Sequence, residues 1–108
     1  MLALRWAKEA LVLGLDTRAR PIERVFLYLP LEHSENLADQ QHAVRLFDAL
    51  AASVSSELRP AFDGFLDYAR RHLEIIERFG RFPHRNAALG RETTAAEADF
   101  LRQPGSRF

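Results

Sequence analysis

A chain of 108 residues, 47% hydrophobic and 28% charged, has the makeup of a single folded domain over residues 1–108 and not of a disordered segment. It has no cysteine, which excludes disulfides, thiolate metal sites and a cysteine nucleophile, and its formal charges sum to zero. No apolar run approaches the roughly 18 residues of a membrane span, and Arg5, Lys8 and Glu9 break the first apolar stretch where a signal peptide would be unbroken, so the expected location is cytoplasmic, with no membrane contact.

Leu2, Trp6, Ala10 and Leu13 recur at helical spacing and predict a first helix reaching Gly14. Met1 leads straight into this pattern with no capping residue, an unusual way for a whole domain to begin. Pro21 suits the first position of a second helix, with Ile22, Val25, Phe26 and Leu29 on its apolar face and Pro30 ending or kinking it. Residues 32–35 then form an elbow, in which Ser34 is the expected N-cap of a third helix. That helix shows Leu37, Gln41, Val44, Phe47, Leu50 or Ala51, Val54 and Leu58, and Pro60 is expected to break it.

The fourth helix is the clearest. One stripe is Phe62, Leu66, Ala69, Leu73 and Ile76; a second is Phe65, Tyr68, His72, Ile75 and Phe79. Together they are wider than one neighbour can cover, so this helix is expected to pack between two others. Gly80 suits the position just past its end. Residues 82–93 read as loop with a short turn ending at Gly90. Thr94 and Glu97 then form a capping box for a short last helix carrying Phe100 and Leu101, stopped at Pro104 and Gly105. No alternating strand pattern or hairpin dipeptide occurs, and stacked helical hairpins are expected.

The charge is segregated. Residues 1–68 carry seven basic and ten acidic side chains, whereas residues 69–91 carry six arginines against Glu74 and Glu77. Arg71, Arg78, Arg81, Arg85 and Arg91, with His84 and Asn86 beside them, compose a candidate anion site, because guanidinium forks bind carboxylate or phosphate. The plainer reading pairs these arginines with Glu32, Glu74, Glu77 or Glu92, or with helix carbonyls, to hold the loop. His72 reads first as a core histidine bonded to a backbone carbonyl. Its functional alternative is an acid or base at the mouth of a pocket shared with Glu32 and His33.

Metal ligation would have to draw on Glu32, His33, His72 and His84. None of these stands at the spacing of a known metal motif, so no metal and no cofactor are expected. Zero net charge and the lack of a recognisable motif argue against nucleic acid.

Three longer runs carry a family resemblance: residues 26–35 (Phe26 to Glu35), residues 79–86 (Phe79 to Asn86) and residues 89–94 (Leu89 to Thr94), closing with Glu97 to Pro104. In these the chain resembles the bacterial domain-of-unknown-function 924 family. The resemblance implies tetratricopeptide-like helix pairs. The expected fold is therefore all-α: antiparallel helical hairpins in a tetratricopeptide-like, right-handed array of about five helices. It also implies that this chain corresponds to the C-terminal half of a longer family domain, whose first half carries an Asp-Gln-Phe-Pro-Arg-Asn run similar to residues 81–86. Such a fragment would leave apolar surface on its first two helices and could form a homo-oligomer.

The resemblance brings no activity, and the catalytic residues are unknown. The expected function is a helical binding or scaffold module taking a small anion or a protein partner around Arg81, His84, Arg85, Asn86 and Arg91, with Glu32, His33 and His72 nearby. The alternative is a hydrolase or transferase acting on a small anionic metabolite, with His84 or His72 moving the proton.

Overall fold

Helical periodicity dominates the sequence from its first residues, and helices account for the structure. The computed structural model describes residues 2–107. It contains α1 (Leu2–Val12), a 3₁₀ turn (Leu15–Arg18), α2 (Pro21–Glu32), α3 (Leu37–Ser53), α4 (Arg59–Phe79), a second 3₁₀ turn (Pro83–Arg85) and α5 (Ala95–Leu101), with no strand among the described residues. None of these helices is long and apolar enough to cross a membrane. The uncapped start read at Met1 lies outside the described residues.

Short connections fold each helix back on its predecessor: α1 packs on α2, α2 on α3 and α3 along α4, while α5 meets the second 3₁₀ turn. The main core joins Val25, Tyr28 and Leu31 of α2, Phe47 and Leu50 of α3, and Phe62, Leu66 and Ala69 of α4. A second, smaller core gathers Ile75 and Ile76 of α4 with Phe82, flanked by Phe79 and Phe100. The wide apolar face of α4 thus serves two cores along its length. Its N-terminal half packs on α2 and α3, and its C-terminal half packs on the loop and α5.

Several boundaries differ from the sequence reading, each for a tertiary reason. Pro30 does not end α2, which continues through Glu32. A proline φ suits a helix, and the loss is the hydrogen bond its N–H would have made. The His33 N–H closes the last turn on the Leu29 carbonyl at 2.9 Å. Leu31 is fully buried by the continuation. Burying a leucine contributes about 1.5–3 kcal/mol, enough to offset much of the roughly 3 kcal/mol an interior proline costs.

The N-cap of α3 is Asn36, whose Oδ1 accepts from the Asp39 N–H; Ser34 instead donates its hydroxyl to Asp39 Oδ2 at 2.7 Å. The buried amide of α3 is Gln40, not Gln41. Its Nε2 donates to the carbonyls of both Glu32 and Ser34, tying the elbow to α3. Leu37 and Leu58 are exposed. Pro60 opens α4 and does not break α3, which has already ended at Ser53.

On α1 the face against the core is Leu4, Ala7 and Leu11, and the predicted stripe of Leu2, Trp6 and Leu13 turns outward. Together with Ile22 and Phe26 it leaves apolar side chains open on α1 and α2. The end of α4 follows its local signals: Gly80 adopts a left-handed φ of 72°. So does the start of α5, where Thr94 and Glu97 make the capping box.

Candidate functional site

Because α2 runs on past Pro30, Glu32 is held in its last turn, facing α4. Its side chain is 2% exposed, and among the described residues no hydrogen-bond donor reaches its carboxylate. Burial pushes its pKa up to about 7. The nearest polar groups are imidazoles. His72 Nδ1 lies 3.8 Å from Oε1, and His33 Nε2 lies 4.0 Å from Oε2.

His72 is buried on α4, and its Nδ1–H donates to the Tyr68 carbonyl one turn earlier at 2.8 Å. Burial pulls its pKa down to about 4; the bond to Tyr68 opposes this, and His33, His84 and Arg85 add to it. His33 and His84 are also lowered, first by burial and then by the charge of Arg85. The site therefore presents neutral imidazoles at neutral pH.

The loop after Gly80 supplies the opposite wall. The Phe82 ring is fully buried, 5.5 Å from the His72 ring and 5.7 Å from that of His84. The 3₁₀ turn behind it, opened by Pro83, delivers His84 and Arg85. His33, Tyr68, His72, His84 and Arg85 line one hollow of about 300 Å³. An apolar groove of about 280 Å³ adjoins it, walled by Ile22, Phe26, Leu29 and Phe65 and ending at Glu32, His33 and Tyr68. His33 and Tyr68 line both, so hollow and groove are neighbours on one side of the molecule, and the two together are termed the cleft. The sequence reading placed Ile22, Phe26 and Tyr68 on core stripes. Here they are exposed enough to form a wall, Phe26 at 68% and Tyr68 at 41%.

The arginines divide sharply. Arg81 is bidentate on Glu97, through Nε at 2.9 Å and Nη2 at 2.8 Å, and also donates to the Glu92 carbonyl. This pairing, with the Thr94 N–H, holds the Glu97 pKa down at about 2. Arg91 is bidentate on Glu35 at 2.9 and 3.2 Å, and donates further to the Phe82 carbonyl and to Asn86 Oδ1. The Phe82 N–H completes this lock on Glu35 Oε2. Arg78 stacks on Phe79, and Arg71 lies over Tyr68 and reaches the Gly105 carbonyl.

Arg85 differs. Its guanidinium lies over Phe82, donates to the His33 carbonyl at 2.9 Å, and has no carboxylate within ion-pair distance among the described residues. Of the eight residues singled out from the sequence, the fold brings Glu32, His33, His72, His84 and Arg85 to one cleft. It gives Arg81, Asn86 and Arg91 to the loop lock.

Residues 1–105 match the family model described as a bacterial protein of unknown function, DUF924. The chain belongs to the DUF924 family. This DUF924 chain is similar to a solved protein of unknown function, ATU0120 from Agrobacterium tumefaciens, at 42% identity and a TM-score of 0.76. The alignment covers 93% of this chain and 51% of that one, so the chain spans about half the length of that relative. No curated protein matches it. Neither the DUF924 description nor this relative names a reaction, so a functional reading depends on the cleft.

Proposed function

We propose that this DUF924 chain binds a small organic anion that carries an apolar portion. The charged group sits at Arg85 between the imidazoles of His33, His72 and His84, and the apolar portion lies in the groove along α2. One observation carries this reading: a guanidinium with no carboxylate within ion-pair distance among the described residues lines a hollow that shares His33 and Tyr68 with an apolar groove. The Phe82 ring and the His33 carbonyl hold Arg85 in place, so its fork is ordered before a ligand arrives, which reduces the entropy lost on binding. Carboxylate and phosphate share the necessary chemistry. The stacking of α2, α3 and α4 on their sequence neighbours supports reading the scaffold as a tetratricopeptide-like array.

The test is calorimetry on the full chain with hexanoate, hexyl phosphate and hexanol. Binding of either anion but not of the alcohol, weakened at least about tenfold in Arg85→Ala, is the expected result, and the preferred anion identifies the class. No binding of either anion, or equal binding by Arg85→Ala, contradicts it.

A second reading, hydrolase or transferase chemistry on such an anion, is favoured by the position of His72 and His84 in the same hollow as Arg85. Turnover of aryl esters or aryl phosphates that falls in His84→Ala supports it. Absence of turnover on both classes removes it and leaves binding alone.

A further inference from the structure

The buried end of the cleft contains a donor set that the anion reading does not use. We propose that Glu32, His33 and His72 together bind a divalent transition-metal ion of the zinc type.

One ligand atom from each of these residues lies within 4.8 Å of the other two. Two atoms bound at about 2.1 Å to one tetrahedral ion stand about 3.4 Å apart. The separations of His72 Nδ1 from Glu32 Oε1 (3.8 Å) and of His33 Nε2 from Glu32 Oε2 (4.0 Å) are too long for hydrogen bonds but close to that span. Small side-chain rotations would bring them onto one ion.

Glu32 supplies the independent indication. A carboxylate 2% exposed with no hydrogen-bond donor among the described residues is costly as an anion, and a cation between it and the imidazoles removes that cost. Two imidazoles and one carboxylate, without thiolate, form a donor set suited to zinc and its neighbours and poorly suited to calcium or magnesium. The bond from His72 Nδ1–H to the Tyr68 carbonyl places the lone pair on Nε2. A backbone acceptor of this kind commonly orients a metal-bound imidazole. The 3.8 Å approach to Glu32 is made by Nδ1, so ligation at that atom displaces its proton and the bond to Tyr68, whereas ligation through Nε2 keeps the bond and requires the Glu32 side chain to reach that nitrogen instead.

His33 and His72 also line the hollow, so the remaining coordination position faces the space beside Arg85. The Arg85 charge opposes a cation there, and the Glu32 carboxylate offsets it. The spacing of these residues in the sequence holds no metal signature, because the third ligand lies 40 positions from the first and reaches it only through the packing of α4 on α2.

The experiment uses the full chain stripped by chelator and dialysed into chloride buffer, with no organic anion present. It is titrated with ZnCl₂ by calorimetry and with CoCl₂ by visible absorption. The expected result is one ion per chain and a cobalt d–d band of low-coordinate intensity. Glu32→Gln and His33→Ala should each weaken zinc binding at least about tenfold, given that loss of a mere supporting partner already costs 10–100-fold. His42→Gln, on α3, should leave it unchanged. His33 is half exposed, so His33→Ala keeps the test valid even where a core variant fails to fold. No stoichiometric binding, undiminished binding by both ligand variants, or loss in His42→Gln instead overturns the proposal. Arg85→Ala should abolish anion binding yet keep one zinc per chain, which separates failure of this inference from failure of the anion reading.

Discussion

Two groups of arginines, drawn from one short basic segment, meet different fates. Arg81 and Arg91 each find a carboxylate, Glu97 and Glu35, and are spent on holding the loop and α5 in place. Arg85, between them in sequence, finds a ring face and a backbone carbonyl and points its charge at the cleft. The contrast teaches that an arginine-rich junction is not one feature. Carboxylate pairing fixes the loop, and the fixed loop aims the remaining cation. The plainer sequence reading has the role of Arg81 and Arg91 but not their partners, which are Glu97 and Glu35 and not Glu32, Glu74, Glu77 or the Glu92 carboxylate, and the functional reading narrows to Arg85.

The largest effect expected from breaking this division is on the lock. Arg91→Ala removes a bidentate pair to Glu35 and the bonds to Phe82 and Asn86, and leaves a half-buried carboxylate with only the Phe82 N–H as hydrogen-bond donor among the described residues. Urea unfolding should show a loss of about 2–3 kcal/mol. A loss no greater than that of an ordinary surface substitution would show that the loop does not depend on it.

The Arg81–Glu97 pair predicts a pH signature. The Glu97 pKa is depressed from the ordinary 4.5 to about 2, led by its bond to Arg81. Its contribution to stability is therefore fully present above the unfolded value and is lost as pH falls from about 4.5 toward 2. The melting temperature of the native chain should exceed that of Glu97→Gln at pH 7, with the gap shrinking through this window. A gap that stays constant down to pH 3 would mean that the carboxylate is not selectively stabilised in the fold.

The parts legible in the sequence are those fixed by local chemistry. The double stripe of α4, its glycine stop and the capping box of α5 need no distant partner, and each is found where its residues place it, save that Tyr68 of the second stripe is exposed. What sequence could not reveal depends on distant contacts. α2 passes Pro30 because Leu31 gains a core. Gln40 is buried because two elbow carbonyls need a donor. α1 turns Trp6 outward because Leu4, Ala7 and Leu11 meet the neighbouring helices. The same holds at the cleft. Its residue types could be singled out from the chain, but Glu35 and Arg91 lie 56 positions apart, and nothing local shows that they pair while Arg85 meets a carbonyl and, among the described residues, no carboxylate.

The smallest expected effect on stability belongs to Arg85→Ala, which loses one bond to a carbonyl and a stacking contact at a half-buried position, within about 1 kcal/mol. The decisive measurement is hexanoate or hexyl phosphate calorimetry on Arg85→Ala and Arg81→Ala side by side, with unfolding curves for both. The account predicts that Arg85→Ala loses anion binding while keeping its stability, and that Arg81→Ala keeps anion binding while losing stability. Equal anion affinity in the two variants would contradict it.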